Sequence, residues 1–386
     1  MKALTPFVLL GTLVSTAFAQ EAGSQESLRQ EIRQAIARGN AWLKSQQKPE
    51  GNWDEADLPA FTALALNAAV RDPNIDRTKP LPDYIEKGYQ WLIAQQKEDG
   101  GIYNRGLSTY NTALAVTAIM AGPHEKYEDV IVKARKHLIG NQWDLDKQKE
   151  PDNPSDGGVG YGAGTDKPHN DLSNTYLAIE ALALSKKVVS DGKHGDQPDL
   201  NWDAALKFLS RCQNLKETND QPWASDDPKN KGGFVYNTVD SKAGTEQTGE
   251  GRTALRSYGT MSYAGLLSLI YAKLGPNDPR VTTVKEWLAK NYTLEENPGM
   301  GSKGLYYYYN VMSKALTAAN QDKIKLENGK EVDWRVELGN AILSKQRGDG
   351  SWLNSDGGWM ESNPVLVTAY QVIALEQVLV SLSTSK

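Results

Sequence analysis

Residues 346–352 read "QRGDGSW", and residues 46–53, near the other end of the chain, read "QQKPEGNW". Each stretch puts a glutamine at the close of a helical pattern, then a glycine, then an aromatic residue. Such a phrase is either a glycine-rich ligand loop or a structural clip repeated in every unit of an array. The physics suits a clip: a helix end leaves carbonyls unpaired, glycine supplies a left-handed turn, and a glutamine side chain can bond backbone. A phosphate cradle would need a preceding strand and the P-loop lysine pattern, and the sequence around these phrases has neither.

The phrase follows amphipathic segments marked by Trp42-Leu43, Trp91-Leu92, His137-Leu138, Phe208-Leu209, Trp287-Leu288 and Ile342-Leu343. Their apolar positions recur every three or four residues, the period of a helix with one buried face. Each is followed by a glycine loop ending in an aromatic residue: Trp53, Tyr103, Tyr161, Tyr236, Tyr306 and Trp352. After each loop comes a second segment, apolar nearly all round, such as "FTALALNAAV", "TALAVTAIMA" and "VLVTAYQVIALEQVL". Helices of that composition are buried. The chain therefore reads as six helical hairpins, polar-faced helices outside and apolar ones inside. Periodicity alone leaves open whether they form a superhelix or a closed ring. The connections 143–170 and 214–253 are longer than structureless loops usually are.

"QQKPEGNW", "QQKEDGGIY" (95–103, with Tyr103 in the place of Trp) and "QRGDGSW" resemble the Gln-x-x-x-Gly-x-Trp repeat of squalene–hopene and oxidosqualene cyclases. Protein prenyltransferase β-subunits and pectate-lyase-type enzymes are built from similar hairpins. The resemblance spans essentially the whole mature chain at repeat level. It implies an all-α fold, an α/α toroid of six helical hairpins with inner and outer layers. "YGTMSYAGLLSLIYA" and "GLYYYYNVMSKAL" also look like exported bacterial proteins known only by this repeat.

The resemblance does not extend to the family's chemistry. The Asp-x-Asp-Asp acid of class II cyclases is missing: "DLDK" (144–147) stops short, and Asp226-Asp227 sits in a loop. The aspartate-rich magnesium motif, the zinc-binding Asp, Cys and His of prenyltransferases and the thioester phrase Gly-Cys-Gly-Glu-Gln are also missing. No cofactor and no metal site is expected.

The remaining clue is positional. If all six loops lead into inner helices, the first turns of those helices meet at one mouth, where helix N-termini favour an anionic or oxygen-rich group. The candidate catalytic residues there are Asp171, Asp57 and Tyr258; the candidate ligand-binding residues are Tyr110, Asn111, Asn174, Arg256, Tyr308 and Asn363. Asp171 in "HNDLSNTY" suits a general base or a helix N-cap equally by position. Asp57 shares that ambiguity, because Pro59 after it is typical of a first helical turn. The tyrosine run 306–309 is expected to turn two of its rings inward, for packing, for sugar stacking or to stabilise a cation.

Residues 1–19 carry a lysine, an apolar run and a small-residue cleavage pattern, the form of a signal peptide, with residues 20–386 as a single toroid domain. Export to the periplasm or the extracellular space is expected. The apolar run is too short for a bilayer, so no membrane span is expected. A net charge of −5 excludes a basic footprint for nucleic acid. With one cysteine, Cys212, there is no intrachain disulfide, and stability comes from packing. The expected partner is a small molecule, isoprenoid or saccharide. An enzyme of either chemistry and a non-catalytic interaction module are the alternatives.

Overall fold

The structure is a computed structural model and describes residues 9–144, 149, 151–162, 169–249, 251–356 and 358–384, with side chains from residue 25 onward. Among them, twelve α-helices alternate between two layers. The outer helices are α1 (Leu9–Ser45), α3 (Asp83–Ile93), α5 (Glu128–Gly140), α7 (Trp202–Arg211), α9 (Pro279–Lys290) and α11 (Trp334–Leu343). The inner helices are α2 (Pro59–Arg71), α4 (Ser108–Ala121), α6 (Leu172–Val189), α8 (Gly259–Tyr271), α10 (Leu305–Ala318) and α12 (Pro364–Thr384). Each inner helix packs on the next, and α12 packs back on α2, so the question of closure is answered: the hairpins form a ring. Helix α12 is long and apolar enough to cross a membrane, but 89% of its apolar window is buried as wall of that ring.

The opening phrase is the clip that holds neighbouring units together. Gln346 Nε2 donates to the carbonyl of Gly350 in its own loop (2.9 Å) and to that of Ala35 in α1 (3.0 Å), joining the last unit to the first. Gln47, Gln96, Gln142 and Gln213 do the same for Gly51 and Tyr84, Gly100 and Val130, Gly157 and Asn201, and Gly232 and Arg280. Two carbonyls per clip are thereby satisfied at the seam between units. The clip glycines all have positive φ, and a Cβ on Gly157 would lie 1.8 Å from the Ala204 carbonyl oxygen. Only glycine permits both that dihedral and that approach.

After the clip, a backbone N–H in the loop donates to a hydroxyl one turn inside the next inner helix: Trp53 to Thr62, Ile102 to Thr112, Val159 to Thr175, Phe234 to Ser262 and Trp352 to Thr368. This corrects the sequence register. The buried place of Trp53 and Trp352 is taken by Ile102 and Val159, not by Tyr103 and Tyr161, which lie further along and are only half buried. The last unit also shifts, since Ile342, whose carbonyl accepts from Trp352 Nε1, matches Leu43, whose carbonyl accepts from Trp53 Nε1. The fifth unit carries no glutamine clip; Asn297 organises its loop through Lys303 and the N–H of Thr260.

The long connection 214–253 is folded on itself. Asn214 Nδ2 donates to the Leu255 carbonyl (2.8 Å) and to Ser257 (2.9 Å). A short hairpin of β1 (Thr245–Gln247) and β2 (Thr253–Leu255), with Glu246 opposite Ala254, closes its far end. A second hairpin, β3 (Lys323–Lys325) and β4 (Glu331–Asp333), leads into α11. Part of the connection 143–170, including residues 145–148 and 163–168, lies outside the described residues.

Candidate functional site at the mouth of the ring

The first turns of the inner helices do meet at one end of the ring. They surround a cavity of about 480 Å³ whose wall includes Phe61, Tyr110, Ser173, Asn174, Tyr258, Met261, Tyr307, Leu366 and Tyr370. That volume suits a small organic ligand. Tyr110 and Tyr370 join hydroxyl to hydroxyl at 3.1 Å, and Ser173 and Tyr307 at 3.2 Å. Deeper in the ring, Lys314 of α10 meets Glu180 of α6 at 2.9 Å, both side chains buried. Helix α8 lies between those two helices in the ring, so the pair spans the interior.

One side of the mouth comes from loops. Tyr161 and Tyr236 share a hydroxyl contact of 2.9 Å, His169 stacks on Tyr161 at 5.6 Å, and Lys242 Nζ sits 4.3 Å above the Tyr236 ring. Lys242 also pairs with Asp240 at 2.7 Å. The other side is an apolar rim. Leu107, Trp359 and Met360 line the cavity and rank among the exposed large hydrophobics of the chain, at 36%, 50% and 46%. All three also have left-handed backbone, φ 49°, 50° and 66°. Two costs thus fall on the same three side chains, strain of about 1–3 kcal/mol each and apolar exposure.

Of the nine candidates read from sequence, Tyr110, Asn174 and Tyr258 line the cavity. Asn174 Oδ1 is buried without a hydrogen-bond partner among the described residues. Asp171 is fully buried behind the wall as the N-cap of α6, accepting from Asn174 N and Asn174 Nδ2, both at 2.8 Å. Burial pushes its carboxyl up to about 6 against the pull of those two hydrogen bonds. Asn111 is also structural: it donates to the Leu107 carbonyl and accepts the Ala60 N–H, tying α4 to the first turn of α2.

The other four do not line the cavity. Asp57 is exposed and faces Arg105 at 3.8 Å, and the cap position of α2 belongs to Leu58. Arg256 Nη1 donates to the Ala243 carbonyl and so holds the turn that carries Lys242. Tyr308 donates to the Thr293 carbonyl from within the core, and it is Tyr307 of the run that reaches the cavity. Asn363 accepts the N–H groups of Val365 and Leu366 at the start of α12 and donates to Asp54 of the first loop. First-turn position therefore located the cavity but did not give each ring's direction, since a one-residue step in a helix turns a side chain by about 100°. Lys242, Trp359 and Met360 lie in irregular segments with no periodicity to expose them.

Glu361 is a further buried acid. Its carboxylate accepts the Tyr307 N–H at 2.7 Å, capping α10 from the following unit. Burial raises it to about 7.

No family model matches the chain. Over 125 residues it is 27% identical to a lanosterol synthase of Aspergillus fumigatus, a stretch covering 29% of this chain and 16% of that protein. The ring superposes on a type II terpene cyclase variant from Scytonema in complex with its substrate geranylgeranyl dihydroxybenzoate, with TM-score 0.51 and 12% identity over 92% of this chain and 99% of that one. Protein geranylgeranyltransferase-I of Candida albicans, complexed with GGPP, matches with TM-score 0.51 and 13% identity over 88% and 90%. A family 76 glycoside hydrolase from a bovine Bacteroides thetaiotaomicron strain gives 0.56 and 10% over 92% and 78%. The fold is an α/α toroid, shared with these three solved structures. At these identities the likeness is one of architecture.

Proposed function

We propose that this protein acts outside the cytoplasm and binds an apolar, oxygen-bearing small molecule of isoprenoid type in the mouth cavity, without the proton-donating chemistry of squalene cyclases. The observation that carries the reading is the rim: Leu107, Trp359 and Met360 are held exposed on left-handed backbone around an aromatic cavity. A covered rim would recover the apolar exposure. Tyrosine faces and the Leu58, Leu107, Met261 and Leu366 side chains suit a hydrocarbon body, while Lys242, His169 and Asn297 offer contacts for an oxygen-bearing head. A saccharide would bring more hydroxyls than these few polar groups can pair, and unpaired polar groups weaken binding. The chain contains no Asp-x-Asp-Asp motif, and Asp171 is engaged as a helix cap.

The test is a thermal-shift and calorimetric titration of the mature chain with farnesol, farnesyl phosphate and neutral and acidic oligosaccharides. Prenyl compounds are expected to raise Tm, farnesyl phosphate more than farnesol, and Lys242→Met is expected to remove that preference. A response to oligosaccharides alone overturns the proposal.

A further inference from the structure

A second constellation lies beside the cavity, where α4 begins. Ser108 Oγ is 3.1 Å from His137 Nε2, and His137 Nδ1 is 3.3 Å from Asp99 Oδ2. Asn141 Nδ2, which can only donate, also lies 3.1 Å from His137 Nε2. That contact leaves Nε2 as the acceptor and puts the ring proton on Nδ1, facing Asp99. This is the tautomer in which a histidine can take a proton from a serine hydroxyl. Asp99 is fixed in turn by the Gly101 N–H (2.9 Å) and the Tyr103 hydroxyl (2.8 Å), and the Tyr103 ring stacks on His137 at 5.7 Å. Burial lowers the pKa of His137, so the ring is neutral near pH 7.

The internal repeat shows how unusual this is. Five residues before each clip glutamine the chain carries Trp42, Trp91, His137, Phe208 and Ala341, so a titratable ring occupies this place in one unit only. Four residues before each inner-helix hydroxyl it carries Leu58, Ser108, Asp171, Tyr258 and Pro364. The one serine of that set faces the one histidine of the other. Gly101 makes the room, because a Cβ there would come within 2.8 Å of the His137 ring.

The seat for a carbonyl is also present. The Tyr161 carbonyl oxygen accepts the Thr109 N–H at 3.3 Å and the Ser108 hydroxyl at 3.4 Å, so a substrate that displaces it also frees that hydroxyl for His137. A backbone carbonyl thus stands where a substrate carbonyl would stand, on a donor at the positive end of α4. The Tyr161–Gly162 segment covers Ser108, which is 1% exposed; a Cβ on Gly162, whose φ is +93°, would fall 1.9 Å from Ser108 Oγ. The residues on either side of the seat, Leu107 and Tyr110, line the mouth cavity.

We propose that Ser108, His137 and Asp99 form an acyl-transfer centre that hydrolyses a carboxylic ester presented from the mouth cavity. Ser108 Oγ bonds to the acyl carbon as its proton passes to His137 Nε2, and the oxyanion takes the place of the Tyr161 carbonyl on the Thr109 N–H. The bond to the alkoxy oxygen breaks, His137 returns the proton to it, and the alcohol leaves. Water, deprotonated by His137, then releases the carboxylic acid and regenerates Ser108. Ser108 and His137 are the catalytic residues; Asp99 is a positioning residue. The inference rests on the mouth cavity as the ligand site and specifies an ester as the ligand's oxygen-bearing group.

The experiment treats the mature chain with an alkyl fluorophosphonate, maps the adduct by mass spectrometry, and follows p-nitrophenyl butyrate hydrolysis in parallel. The expected result is a single adduct on Ser108, absent in Ser108→Ala, formed at least 100-fold more slowly in His137→Gln. Asp99→Asn slows it and Asp99→Glu restores part of the rate, which a merely structural contact would not do. Gly162→Ala, which forces the covering segment off Ser108, labels faster than wild type. No adduct in either wild type or Gly162→Ala overturns the proposal, as does an unchanged rate in His137→Gln. A thermal shift with prenyl compounds that persists in Ser108→Ala keeps the binding reading separate from this one.

Discussion

The seams between units and the mouth of the ring are built from the same repeat, and they treat it in opposite ways. At the seams, five glutamines make the same pair of bonds to the same kind of carbonyls, from Gln47 to Gln346. At the mouth, the matched positions Leu58, Ser108, Asp171, Tyr258 and Pro364 are all different. Uniform residues satisfy a need that recurs in every unit, tying the clip loop to the backbone of the neighbouring outer helix. Diverse residues at the mouth do different work: Leu58 and Tyr258 line the cavity, Asp171 caps α6 behind its wall, and Ser108 faces His137. In a repeat ring, repetition marks the scaffold, and the places where it breaks are where a site can be built.

The largest effects should come from breaking the uniform part. Gly157→Ala sets a Cβ 1.8 Å from a backbone oxygen at positive φ, and it is expected to cost about 4 kcal/mol or more in urea unfolding. Gly106→Ala, also at positive φ but with open space around it, should cost only about 1 kcal/mol. Equal losses would show that the close approach is not what requires glycine at the seam.

Next comes the ion pair inside the ring. Lys314→Met strands the buried Glu180 carboxylate and should cost about 3 kcal/mol, with Glu180→Leu in the same chain recovering most of it. A single variant as stable as wild type would mean the pair contributes little to holding α6 and α10 together across the interior. Gln346→Leu removes the two Nε2 bonds of the clip at the closing seam, together with the exposed contact its Oε1 accepts from Arg38, and a loss of about 2 kcal/mol is expected. The matching change at Gln213, on another seam, should add to it independently.

A pH titration separates the buried acids from the rest. Asp171 and Glu361 are raised by burial, to about 6 and about 7, so ionising them is harder in the fold than in the unfolded chain. Their contribution to stability is full below pH 4 and is lost as pH rises towards 7. Across that window each should lower stability by about 3 kcal/mol. Asp152, held low by its hydrogen bonds to Arg211, titrates below the window. Glu361→Gln should flatten the slope between pH 4 and 7; a slope that survives in Asp171→Asn/Glu361→Gln would assign it to other groups.

The scaffold was legible in sequence because its signals are periodic and repeated: the 3.6-residue pattern, the glycine turn and the clip glutamine recur often enough to be recognised without any one being strong. The location of the mouth followed from the same reasoning. Its residues were legible only in part. Choosing Tyr308 over Tyr307 was an error of one helical step. Asp57 looked like a cap beside Pro59, but Leu58 took the cap place and left the carboxylate outside with Arg105. Lys242, Trp359 and Met360 were invisible because loop residues reach the mouth through tertiary contacts. His137 was read as one more outer-helix residue in the position Trp42 and Trp91 occupy, and its partners lie in two other segments.

At the rim, fold and function are expected to pull apart. Trp359 and Met360 adopt left-handed backbone that glycine enters without a Cβ penalty, and both side chains are half exposed. Changing both to glycine relieves strain, but it also gives the unfolded chain more freedom, and the two effects are each about 1 kcal/mol and opposite in sign. Unfolding stability should therefore stay within about 0.5 kcal/mol of wild type. The apolar surface that a bound prenyl chain would cover is removed at the same time, which at about 25 cal/mol per Å² should weaken farnesyl phosphate binding by roughly tenfold or more. Stability unchanged with affinity reduced is the signature of residues placed for a ligand. Stability lost with affinity kept would make the rim part of the scaffold, and the contrast between seam and mouth would then fail at the point where it says most about function.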